Sequence, residues 1–278
     1  MRERMKRYVL MGLVVGVCGI PAMSSAQSYR QQGIYPVFDG WEDLPDGSKL
    51  IYFGYMNRHA TEITIPVGAD NGFEQAPADR MQPTNFLPGR HEHVFTVRVP
   101  KNFTGKLIWD LKTGVGLQKA IASLDQLYIL EVEDEPGEKV VPPEIKAADA
   151  TVKISEALHL APQVKAEAVK REAVIEGSGA RQSGLAVIWN MHRGPGKVTF
   201  TAEPGARPVR PAAPAGGRAR PEAPPVPGVF SAACALPAAP GCGAVAARFS
   251  EPGDYILRAV ARQGREQRDV FVHVKVAP

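Results

Sequence analysis

An all-β chain of two β-sandwich domains is the fold class that the sequence predicts, and three observations carry it. Short strand-like apolar stretches, most of them alternating with polar residues at a period of two, run from Ser48 to Val132 and again from Leu185. Turn dipeptides such as Asp46-Gly47, Thr104-Gly105 and Pro252-Gly253 punctuate them at short intervals. An acidic stretch bearing Pro136 and Gly137, followed by Pro142-Pro143, divides them into two sets. The expected organisation is a signal peptide at 1–26, an N-terminal sandwich at 27–133, a linker at 134–143 and a second sandwich at 144–278 with an irregular insert at 203–247.

The N-terminus predicts export. Arg2, Arg4, Lys6 and Arg7 form a cationic region, Val9 to Ile20 an apolar one, and Ser24-Ser25-Ala26 a small-residue cleavage site. The apolar run is short of the roughly twenty residues that span a bilayer, so no membrane insertion is expected after cleavage. Cys18 raises a lipoprotein reading, but Val17 stands where such a site wants a small residue. Residues 1–26 carry four Lys/Arg against Glu3, so of the net charge of +4 only about +1 belongs to the remainder. That gives no electrostatic case for nucleic acid.

The first domain is expected to hold a central strand at residues 48–55, apolar on both parities. Ile63, Ile65 and Val67 alternate with Thr64 and Pro66; Phe95, Val97 and Val99 alternate with Thr96 and Arg98; Leu107, Trp109 and Leu111 alternate with Ile108 and Asp110. Each set puts one apolar row inward. Asn71-Gly72 and Pro88-Gly89 read as turns, and Gly114-Val-Gly116 as a hairpin turn rather than a dinucleotide fingerprint.

In the second domain, residues 151–176 read as strands despite a helix-like composition at 163–174. Leu185, Val187, Trp189 and Met191 share a parity that makes Trp189 a core residue. Gly194 and Gly196 flank Pro195 in a turn expected to need unusual φ values. Ten of the 25 prolines lie between Glu203 and Ala247, amid Ala, Gly and Arg, with no periodic apolar face. That stretch reads as a disordered or polyproline-like insert, or as what a GC-rich gene gives when read out of frame. Cys234 and Cys242 are an even pair in an oxidising compartment and read as a small disulfide loop, with two unpaired thiols as the alternative.

Five pieces of the C-terminal half occur in an order that resembles PKD-like Ig-type domains of extracellular bacterial proteins. They are Pro143-Glu-Ile-Lys-Ala147 with Thr151-Val-Lys-Ile154, Ala186-Val-Ile-Trp189, Gly194-Pro-Gly196 with Val198-Thr-Phe200, Phe249-Ser-Glu-Pro-Gly-Asp-Tyr255, and Asp269-Val-Phe-Val272-His-Val274-Lys-Val276. The resemblance implies a sandwich with Tyr255 at a tyrosine corner. It departs in two places: Lys170 to Gln182 replaces the short acidic turn of the family, so the resemblance does not carry over a calcium or ligand contact there, and the insert splits the middle of the domain. Gly40-Trp-Glu-Asp-Leu-Pro-Asp-Gly-Ser48, Phe53-Gly-Tyr-Met-Asn-Arg58 and Phe86-Leu-Pro-Gly-Arg90 resemble segments of secreted bacterial proteins, which implies a compartment and a β domain but no activity.

Catalytic patterns are weak. His59, His91 and His93 are a three-imidazole candidate, but His93 shares parity with Phe95 and Val97, so a core-rim role is expected and no metal. Asp39, Glu42, Asp43 and Asp46 cluster near Trp41 as glycosidase acids do, yet Pro45-Asp46-Gly47 is turn chemistry. No catalytic residue and no cofactor is expected. The candidate binding surface is the long polar stretch 68–90, with Asp70, Glu74, Arg80, Phe86 and Arg90. The function this predicts is a secreted or periplasmic, non-enzymatic binding or scaffolding protein of the cell envelope, its partner an envelope protein or a glycan. The alternatives are an enzyme or accessory module acting on polysaccharide, and a structural spacer.

Overall fold

A computed structural model of the chain describes residues 32–130, 141–167, 184–203, 228–264 and 266–278. The expected signal peptide, residues 134–140 of the linker and most of the Pro-rich insert lie outside them. The described chain is all-β; its non-strand element is a single 3-10 turn at Gln126–Tyr128.

The first sandwich comprises β1 (Ile34–Asp43), β2 (Lys49–Asn57), β3 (Ile63–Thr64), β4 (Asn71–Phe73), β5 (Asn85–Phe86), β6 (Gly89–Val99), β7 (Leu107–Thr113) and β8 (Gly116–Ala122). Two antiparallel three-stranded sheets, β1-β2-β6 and β4-β7-β8, form its layers, and β3 pairs with β5. β2 is central as expected, but it buries chiefly one face: Ile51, Phe53 and Tyr55 are inward while Tyr52 and Met56 are half-buried. Between the layers lies an aromatic core in which Phe53 stacks on Phe95 at 5.2 Å and Trp109 meets Phe95 edge-on at 5.0 Å. Such pairs add about 0.5 to 1.5 kcal/mol each beyond the area they bury.

The second sandwich comprises β9 (Glu144–Lys146), β10 (Ala150–Lys153), β11 (Leu158–Leu160), β12 (Gln163–Lys165), β13 (Leu185–Arg193), β14 (Val198–Ala202), β15 (Val229–Cys234), β16 (Val245–Phe249), β17 (Gly253–Gln263) and β18 (Glu266–Ala277). A five-stranded sheet, β10-β18-β17-β13-β15, faces a three-stranded sheet, β11-β16-β14, and β12 pairs with β9. Its first strands divide between the layers, β10 running parallel to the final strand, which is an immunoglobulin-like arrangement. Tyr255 completes the likeness: its ring is buried and its hydroxyl donates to the Glu251 carbonyl at 2.8 Å, a tyrosine corner. β10, β11 and β12 bear out strands over the described part of 151–176; residues 168–176 lie outside it.

Three local readings are corrected. Asn71-Gly72 is not a turn but strand β4, because Asn71 is needed as a buried clamp rather than as turn chemistry. Gly194 and Gly196 do not take left-handed φ values. They are small because Tyr255 packs against them, so that a Cβ at Gly194 would enter its ring and one at Gly196 would crowd its hydroxyl. Residues 229–234, inside the expected irregular insert, form edge strand β15 on β13. An edge strand needs little apolar periodicity, since one ladder and one small buried residue, Ala232, suffice to hold it.

Cys234 and Cys242 are joined in a disulfide, with Cα atoms 5.6 Å apart. The closed loop leads directly to Gly243, whose carbonyl accepts the Trp189 indole N–H at 2.8 Å. Replacing both cysteines with serine is expected to lower stability by roughly 2 to 3 kcal/mol through the freed unfolded chain. A guanidinium midpoint equal to that of the unaltered chain would contradict this.

Candidate functional site

The stretch between β2 and β6 is long and has little regular structure, so its backbone groups need partners other than a ladder. Buried carboxamides supply them. Asn71 donates to the carbonyls of Ile65 at 3.0 Å and Pro83 at 2.8 Å, and accepts the Trp109 indole N–H at 2.9 Å. Gln82 donates to the Ala78 carbonyl and accepts the Arg80 amide. Asn57 donates to the carbonyls of Thr61 and Phe86 and accepts the His59 amide. The loop is thereby tied to the aromatic core at several points.

The predicted residues do not converge. Asp70 faces Lys112 at 3.7 Å on the exposed side of β7. Glu74 bonds Lys119, which also holds Asp110 at 3.0 Å, so these acids form part of a solvent-facing charge ladder. Arg80 lies with its guanidinium 5.7 Å over the Phe73 ring and one amino group on the Ala76 carbonyl at 2.7 Å. Phe86 is 0 % exposed and stacks near Trp109 at 6.3 Å, so it has no ring face for a ligand. In sequence it belongs to the long polar stretch 68–90, whereas β5 turns it into the core. Arg90 is also an internal residue: it pairs with the buried Asp39 and bonds the His91 and Tyr55 carbonyls. Burial raises the Asp39 carboxyl above its ordinary range against the opposing pull of the His93 amide and Arg90.

The acids near Trp41 are engaged one by one. Besides Asp39, Glu42 accepts the Tyr52 hydroxyl at 2.6 Å, Asp43 pairs with Lys49, and Asp46 pairs with Arg98 and accepts from Ser48. Trp41 itself is buried, its indole on the Asp125 carbonyl at 2.9 Å. The imidazoles are likewise separate: His91 lies against Tyr55 and bonds the Pro88 carbonyl at 3.0 Å, whereas His93 lies against Tyr52. His93 departs from its expected parity because β6 bulges there, with φ at 50°.

What the long loop does touch is the second sandwich. The Thr84 amide donates to the His192 carbonyl at 3.0 Å, and Asn85 Nδ2 reaches the Met191 carbonyl at 3.4 Å. The His192 imidazole, 2 % exposed, meets the Met81 carbonyl at 2.7 Å. Arg193 bonds the Gln82 carbonyl at 2.7 Å and forks onto both oxygens of Asp79, at 3.0 and 2.7 Å. Such bidentate charge-assisted bonds fix orientation as well as distance. A second point of contact lies beside it. Arg258, 6 % exposed, donates to the His93 carbonyl at 2.5 Å and holds Asp269 at 2.6 Å, while Phe271 packs on the aromatic core of the first sandwich. Both acceptors, Met81 and His93, are non-glycine residues with positive φ, 67° and 50°.

These interface residues were not marked as functional from sequence. Their signal is faint: His192 and Arg258 interrupt their strands at outward positions, where a solvated face is the ordinary expectation, and Arg193 is a cation at a position counted as inward. The bulge at Met191/Arg193 turns Arg193 to the outward face, opposite Ile256, where it joins His192 at the loop of the first sandwich.

No family model matches the chain, and no curated protein does. Among solved structures it is similar to the D0-D1 domain of intimin, at 12 % identity over 87 % of this chain and 97 % of that one, with a TM-score of 0.25. The D00-D0 domain of intimin matches at 10 % identity over 87 % and 99 %, again with a TM-score of 0.25. A titin I-band fragment, I67-I69, matches at 11 % identity over 87 % of this chain and 65 % of that one, with a TM-score of 0.19.

Proposed function

We propose that the protein is an exported, non-enzymatic binding or scaffolding component of the cell envelope, its first 26 residues directing export and its second sandwich being of the PKD-like kind. The observation that supports this most is the joint. His192, Arg193 and Arg258 of one sandwich are spent on main-chain and carboxylate acceptors of the other, which fixes their mutual orientation. A fixed orientation suits a protein that presents a surface, because the ordering cost of association is met before the partner arrives. No helix among the described residues is long and apolar enough to cross a membrane.

In this reading the partner is a polar one, an envelope protein or a glycan, and the presenting surface is the exposed side of the loop and of β7 and β8. Arg80, Asp70 and Glu74 stay on it, beside Lys112 and Lys119. Phe86 and Arg90 leave it. The test is binding of the purified chain to a glycan array and to identified envelope proteins. Arg80→Ala is expected to weaken capture at least tenfold with only the small fall in melting temperature that loss of its Phe73 and Ala76 contacts brings, whereas Arg90→Ala should lower the melting temperature further by orphaning Asp39. Equal capture by Arg80→Ala would move the surface elsewhere, and release of reducing ends from envelope polysaccharide would overturn the non-enzymatic reading.

A further inference from the structure

The joint contains a titratable group in a place where a second charge is unwelcome. His192 is enclosed on every side: by Arg193 of its own strand, by Arg258 of β17, by the Phe271 ring of β18 at 4.7 Å, and by Met81, Thr84 and Asp79 of the loop. The charged groups acting on it are two arginines and one aspartate; Asp269 is committed to Arg258. The neutral ring suits this setting, donating from Nε2 to the Met81 carbonyl and lying against an apolar ring. An imidazolium would place a third cation beside one exposed carboxylate with almost no water to solvate it.

We infer that the contact between the two sandwiches is an acid-sensitive latch, closed while His192 is neutral and opened when it takes up a proton. This goes beyond the proposed function, since it holds whatever the surface binds. The sign follows from linkage. Burial, with the two arginines, pushes the imidazole down to about 3 in the closed form, against an ordinary value of 6.5 when exposed. The open form therefore binds the proton more tightly. The closed form keeps its full advantage above pH 6.5 and loses it as the pH falls toward 3, the open-to-closed ratio rising up to about tenfold per pH unit. Two units below, it has risen roughly a hundredfold. Two other buried titratable groups lie near the joint: the His91 imidazole, lowered by burial and by Arg258, acts in the same sense, and the Asp39 carboxyl, raised by burial, in the opposite one. Both bond only to groups of their own sandwich, Pro88 for His91 and Arg90 with the His93 amide for Asp39, so replacing His192 alone separates its share from theirs.

The experiment is small-angle scattering of the whole chain between pH 7.5 and 4, with near-ultraviolet circular dichroism to follow the two aromatic cores. The unaltered chain should lengthen on acidification while both cores stay packed. His192→Gln, whose carboxamide can still donate to the Met81 carbonyl but cannot become charged, should keep its neutral-pH dimensions. Should His192→Gln fail to fold, proton NMR of the unaltered chain decides instead, through the His192 Cε1–H resonance. Titration of that resonance in step with the lengthening supports the latch. Dimensions that stay constant while it titrates, or lengthening of His192→Gln at the same pH, overturn it.

Discussion

Replacing Trp189 with alanine should lower the unfolding free energy by about 3 to 5 kcal/mol, as for other large aromatics deleted from a core. Its ring is 0 % exposed, lies 6.4 Å from Phe200 and sits between the two sheets of the second sandwich. Alanine would leave a cavity that the flanking Val187 and Met191, held by their ladders, can fill only in part. It would also strip the Gly243 carbonyl of its buried donor. Trp189→Phe should lose less, keeping most of the volume but not the hydrogen bond. Guanidinium unfolding followed by far-ultraviolet circular dichroism measures both, and an unshifted midpoint for Trp189→Ala would show that the core closes around the gap.

Arg258→Ala is expected to cost about 2 to 3 kcal/mol, toward the lower end for a broken buried pair because Asp269 keeps 32 % of its side chain in water. Two losses combine: Asp269 is left without its cation, and the His93 carbonyl without a donor. Arg258→Met separates them, since it keeps the apolar stem and the packing but removes both bonds. If the loss is in the joint, both variants should also raise amide exchange at His93, whose N–H is held by Asp39, more than at amides of β7. Uniform acceleration across both sandwiches would place the loss in global stability instead.

Much of each sandwich could be read from period and punctuation. The one-parity row through Leu185 and Trp189, the Pro252-Gly253 start of β17 and the Tyr255 corner are all local patterns, and the structure has them. What period cannot report is what lies over the outward face of a strand. Arg258 occupies an outward position on β17, where counting gives a solvated side chain, yet it is buried with its guanidinium on the His93 carbonyl of the first sandwich. Bulges add a second blind spot. The single extra residues at Asp39 and His192 flip parity and the two-residue bulge of β6 opposite Gly54 turns His93 aside, so His93 and Arg193 end on faces that counting by twos does not give. The long loop was legible as a place where polar groups gather, but not that Asn57, Asn71 and Gln82 point inward. A buried carboxamide and a solvated one are the same letter.

Met81 and His93 carry a consequence for how the two halves could ever be separated. A left-handed non-glycine residue persists only where its surroundings insist on it, at a cost on the order of 1 to 3 kcal/mol for each. Both lie in the first sandwich, while the groups that hold their carbonyls, His192 and Arg258, come from ordinary strands of the second. The backbone strain at the joint therefore lies on one side. Alone, the second sandwich would expose the Phe271 ring and lose hydrogen bonds that water can replace, whereas the first would keep two contorted peptides tied only from within, by the bonds of their amides to Asp79 and Asp39. The pair is not a string of interchangeable beads: the N-terminal unit carries the strain and is shaped for this neighbour.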